Sequence, residues 1–179
     1  MLIITLASTG YFFLKEKNEI HLTPRIEFLE VKKLIGCNRQ MSLSKDETFE
    51  LWQSFMKRRT EIKNRSNSHF YSMQVYDKPL DFKHFTPQTK FEKWAAVEVS
   101  SFDFIPEGMK SYSMEVGNYA VFIYKGVASD FHSTAQYIFG EWLPNSKYTL
   151  DSREHFEVMK ENYDPKDPNS EEEIWIPIK

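Results

Sequence analysis

The chain has 179 residues, 41% hydrophobic and 27% charged, with a net charge of −3. That length fits one well-filled core, and the composition excludes disordered and collagen-like classes. The two charge signs are interspersed, without the basic footprint that nucleic acid demands. Aromatic residues reach 16%, more than a core needs, so some are expected to line a cavity. The one cysteine, Cys37, sits in an apolar run and reads as core filler in a reducing, cytoplasmic setting.

Residues 1–23 open with an apolar stretch, Leu2 to Leu14. Thirteen residues are too few to span a bilayer, and no positive charge precedes them as in a signal peptide. An extra strand or hairpin is expected there, available for pairing with the main sheet or a second subunit. Arg25 to Cys37 reads as a strand with a bulge near Lys32-Lys33. Ser44 and Glu47 have the spacing of a capping box before a helix bearing Phe49, Trp52, Phe55, Met56 and Ile62. His69–Tyr76 and Phe91–Phe102 read as strands around a loop over 77–89.

The second half runs in the same order. Ser111–Lys125 reads as a long strand, and Ser129 as the cap of a helix that stops before Pro144. His155–Met159 is a strand, and Ile174–Ile178 closes the chain, with Pro177 arguing for an edge or a bulge. An offset of 85 residues places Glu30-Val31 on Glu115-Val116 and Ser44 on Ser129. The order predicts an α+β fold of two β-α-β-β units, over about 24–104 and 109–179. These form one antiparallel sheet with both helices on one face and a ligand groove between them.

No glycine-rich phosphate loop, serine-nucleophile elbow or His/Cys metal spacing occurs, so neither cofactor nor metal is expected. Two carboxylates interrupt apolar strands. Glu98 shares a strand face with Trp94 and Ala96, and Glu157 with His155 and Met159. A carboxylate among rings suits an organic cation, through charge and cation–π attraction. The plain alternative is that either one faces water on a half-wet sheet. Trp52 and Trp142, on the two helices, either flank the groove or fill the core. Tyr71, Tyr76 and Tyr119 are candidates to present hydroxyls into it.

Four segments carry a resemblance. Gly117 to Gly126 (GNYAVFIYKG), Glu141 to Tyr148 (EWLPNSKY), Phe156-Glu157 and Ile174 to Ile178 (IWIPI) are similar to motifs of the GyrI-like, AraC-type effector-binding domains. Lys33-Leu34-Ile35-Gly36 and Leu51-Trp52 fit as well, so the resemblance runs from about Pro24 to Lys179. It implies a duplicated domain with a cleft that holds small, drug-like molecules, and Glu157 is the position matching the strand glutamate that contacts cations. Met159 stands where the family often has Tyr. Residues 1–23 are too few for a helix-turn-helix, so direct nucleic-acid binding is not expected, nor is a membrane. The expected function is a stand-alone small-molecule binder linked to drug sensing or transcription regulation. A hydrolase of electrophilic toxins using Glu157, and a protein-binding regulator of the gyrase-inhibitor type, are the alternatives.

Overall fold

The computed structural model describes residues 22–80 and 84–179. The expected N-terminal strand or hairpin, with the dimer contact assigned to it, lies outside the described residues except for its last two positions. Eight strands form one sheet: β1 (Arg25–Leu29), β2 (Lys32–Ser42), β3 (Phe70–Val75), β4 (Lys90–Glu98), β5 (Lys110–Met114), β6 (Gly117–Lys125), β7 (His155–Met159) and β8 (Glu171–Pro177). Helix α1 (Thr48–Arg58) follows β2, and α2 (Phe131–Tyr137) follows β6. Every pairing is antiparallel, in the order β1-β6-β8-β7-β3-β4-β2-β5. The two halves occupy equivalent places, with β7 and β3 side by side at the centre.

Each long strand expected at the start of a half is two strands. The breaks fall at Glu30-Val31 and Glu115-Val116, the residues that the 85-residue offset superposes. These breaks shape the sheet. In a flat sheet β1 and β2 would stand six strand spacings apart, about 29 Å. Leu29 and Lys32 are three Cα steps apart, at most about 11 Å. The same holds for Met114 and Gly117, which join β5 to β6. The sheet must therefore curl until its two margins meet, enclosing the face that carries no helix. Leu29, Leu34, Tyr71, Met73, Trp94, Met114, Tyr119 and Phe156 fill that concave interior. At Gly36 the curl brings β2 hard against β4, because an added Cβ would lie 2.1 Å from the Ala95 carbonyl oxygen.

Both helices pack on the convex face. Leu51 and Phe55 of α1 lie over Ile35, Phe70, Ala95 and Val97, and Ile138 and Leu143, just beyond α2, over Phe122, Ile174 and Ile176. The expected serine caps do not form. The Ser44 hydroxyl meets that of Ser42 at 3.1 Å, and Asp46 accepts from the Thr48 amide at 2.8 Å instead. Glu47 is held outward by Arg39 and Lys45, and the Ser129 hydroxyl donates to Asp130. The helical path also continues through Pro144. A wide π-type turn over Ile138–Trp142 precedes a last turn, Leu143–Asn145, that contains the proline. Pro177 lies on neither an edge nor a bulge. It ends the interior strand β8, opposite Tyr119, and the next residue, Ile178, still donates its N–H to the Asn118 carbonyl at 3.0 Å.

Candidate functional site: a charged cluster under the helix groove

The centre of the convex face, between the two helices, is polar. Ser72 of β3 and Glu157 of β7 are direct partners across the central strand pair and are related by the 85-residue offset. Two residues before their outer partners, Ala95 and Ile174, stand Lys93 on β4 and Glu172 on β8. Lys93 and Glu172 are thus equivalent positions with opposite charges. Lys93 is 5% exposed and Glu172 8%. The Lys93 ammonium reaches past the small Ser72 side chain to Glu157 Oε2 at 3.2 Å. Burying charge is costly unless it is paired, and apolar residues would fill this space at lower cost.

The electrostatics follow from that burial. Burial raises the Glu172 carboxyl to about 7, and the charge on Glu157 adds to the rise. Tyr163, reaching in from the loop after β7, and Lys93 act in the other direction. Burial and Glu157 also push the Tyr76 phenol up to about 12. Burial holds the His155 imidazole down at about 4, so it stays neutral at physiological pH, with Tyr76 and Phe139 packed against it. This part of the convex face therefore combines two carboxylates, one ammonium, neutral phenols and a neutral imidazole.

The residues expected to line one groove divide between the two faces. Glu157, Met159 and Tyr76 lie on the convex face with the cluster. Trp52 meets Phe55 and Phe70 edge-on at 5.8 and 6.2 Å, and Trp142 meets Phe122 at 5.0 Å and stacks on Tyr148. Glu98, Tyr71, Trp94 and Tyr119 lie on the concave face. Glu98 Oε2 accepts from the Tyr71 hydroxyl at 2.6 Å, Lys32 at 2.8 Å and Asn67 at 2.9 Å. Burial alone would raise this carboxyl, but these partners outweigh it and hold it below its ordinary value. Tyr119 donates to the Glu154 carbonyl, and Trp94 packs on Tyr112. A pocket of about 430 Å³ opens on the same face. Tyr71, Phe156, Val158, Ile123 and Trp175 make its apolar lining, and Lys32 and Glu173 are among its charged residues. Neither α1 nor α2 contributes to it.

Sequence reasoning passed over Lys93, Glu172, Tyr163 and Glu154. Alternation would have found the first two. Lys93 shares a strand face with Phe91, Ala95 and Val97, and Glu172 with Ile174 and Ile176. Starting the last strand at Ile174 hid Glu172. Glu154 is a second buried carboxylate, accepting from the Glu115 amide at 3.2 Å, which ties the β5–β6 connection to β7. Among the described residues no group of three or more His, Cys, Asp or Glu could hold a metal, and no helix is long and apolar enough to cross a membrane.

A model of the GyrI-like small molecule binding domain matches residues 22–179. The chain belongs to that family. GyrI-like relatives include the transcriptional regulator BrlR of Pseudomonas aeruginosa, 26% identical over 147 residues. That match covers 81% of this chain, which spans about half the length of BrlR (51%). Solved structures share the fold. The C-terminal domain of EcmrR superposes with a TM-score of 0.68 at 11% identity, covering 89% of this chain and 99% of that one. SAV2435 bound to tetraphenylphosphonium gives 0.66 at 14%, covering 89% and 94%. A putative bacterial transcription regulation protein from Staphylococcus aureus MU50 gives 0.64 at 17%, covering 89% and 99%.

Proposed function

We propose that this GyrI-like domain binds small organic cations with an aromatic body in the groove between α1 and α2, and that Glu157 is the anionic anchor. The carrying observation is the buried cluster of Glu157, Glu172 and Lys93, which holds two carboxylates against one ammonium. Such a cluster attracts a further positive charge, and Tyr76, Met159 and His155 offer a soft, polarisable wall to its organic part. SAV2435, a structural neighbour, is described in complex with tetraphenylphosphonium, an aromatic cation. Relatives named as transcription regulators suit a role in drug sensing or regulation, with the bound molecule as the signal.

The test is a thermal-shift and calorimetric panel of aromatic cations on the wild type and on Glu157→Gln. The reading expects at least one cation to raise the melting temperature, and Glu157→Gln to weaken its binding tenfold or more, about 1.4 kcal/mol. Unchanged melting across the panel, or wild-type affinity in Glu157→Gln, overturns it.

A further inference from the structure

The groove carries more information than the presence of a carboxylate, because its two halves are equivalent in fold and unequal in charge. On the central strands the first half places Ser72 where the second places Glu157. On the flanking strands the first half places Lys93 where the second places Glu172. The second half thus supplies both negative charges, and the first supplies one positive charge and a small residue. That small residue matters. β3 lies between β4 and β7, so a bulky side chain at position 72 would stand between the Lys93 ammonium and Glu157.

We infer that Lys93 sets the charge of the ligand: with two carboxylates and one built-in ammonium, the groove selects a molecule carrying a single positive charge. This rests on the reading of the groove as the binding site. At pH 8, above the Glu172 value of about 7, the cluster sums to −1, since Glu157 and Glu172 contribute −2 and Lys93 +1. A neutral ligand leaves that charge uncompensated, a monocation cancels it, and a dication overshoots it. Uncompensated charge in a buried site is what burial penalises most. Among the described residues, the other titratable groups facing Glu172 are Tyr163 from the loop and Tyr124 from β6. Burial raises both phenols, which keeps them uncharged. Lys93 is therefore the cation that fixes the balance.

The test uses three probes of one shape: 1,4-di-tert-butylbenzene, 4-tert-butylphenyltrimethylammonium, and 1,4-phenylenebis(trimethylammonium), with zero, one and two charges. Calorimetry at pH 8 compares the wild type (cluster −1), Lys93→Met (−2), Glu172→Gln (0) and the double variant Lys93→Met/Glu172→Gln (−1). The wild type is expected to favour the monocation at least tenfold over both other probes. Glu172→Gln should lose at least tenfold in monocation affinity, and Lys93→Met should reverse the preference towards the dication. The double variant should return to the monocation. If Lys93→Met does not fold, the decisive comparison is Glu172→Gln against the double variant, where adding Lys93→Met must restore monocation binding. Glu157-dependent monocation binding with the same charge preference in every variant overturns this inference and leaves the binding reading standing. A wild type that binds none of the three, nor any cation of the wider panel, removes the binding reading and this inference with it.

Discussion

Replacing Glu172 with Gln should change how folding stability depends on pH. The Glu172 carboxyl rises from an ordinary 4.5 to about 7 in the folded chain. Between those values the folded state binds more protons than the unfolded state, so stability falls as pH rises. At about 1.4 kcal/mol per pH unit, the full effect is about 3.4 kcal/mol, of which about 2.5 kcal/mol falls between pH 5 and pH 8. His155 acts oppositely. Its imidazole is held at about 4 against an ordinary 6.5, so the unfolded chain binds more protons there and stability rises through that window. In the wild type the two slopes nearly cancel between about pH 4.5 and 6.5, which hides both. Glu172→Gln removes only the falling slope. Urea titrations followed by circular dichroism at pH 5 and pH 8 should therefore show the variant gaining about 2.5 kcal/mol on the wild type. A stability difference that stays constant between the two pH values refutes the buried, proton-binding carboxyl.

Two further substitutions probe the frame around the site. Gly36→Ala sets a Cβ against the Ala95 carbonyl oxygen and should cost about 2 kcal/mol in the same urea assay, whereas unchanged stability would contradict the close approach of β2 and β4. Ser72→Val should separate Lys93 from Glu157 and destabilise by about 3 kcal/mol, with Ser72→Ala costing much less; equal effects of the two would show that the Lys93 path is not what Ser72 keeps open.

Much of the architecture was legible from pattern. The order of strands and helices predicted an α+β fold and one antiparallel sheet, and two motif-bearing segments fell on β6 and β8. Alternation placed Glu157 with His155 and Met159, and Glu98 with Trp94 and Ala96, as the structure does. Alternation names a residue's companions on its own strand, however, without saying which face of the sheet they share with another strand. That is why Glu98 and Tyr71 were grouped with Glu157, although they lie on opposite faces. The curl of the sheet was equally hidden. It follows from two-residue connections between distant strands, and only the strand order reveals that they are distant. Neither serine caps its helix: Asp46 takes the Thr48 amide in the first, and the Ser129 hydroxyl turns to Asp130 in the second. Alternation could have found Lys93 and Glu172 as buried charges, but that they meet Glu157 depends on the central pairing of β3 with β7, a contact made across the repeat.

The most direct test is to find which face a bound cation touches. Carbon-13 methyl spectra of the methionines separate the two, since Met159 packs on the convex face and Met73 in the concave interior. Saturation with tetraphenylphosphonium, or with the tightest cation of the panel, should move the Met159 methyl resonance and leave that of Met73 in place. Movement of Met73 with Met159 unchanged would place the ligand on the opposite face and contradict the groove between the helices.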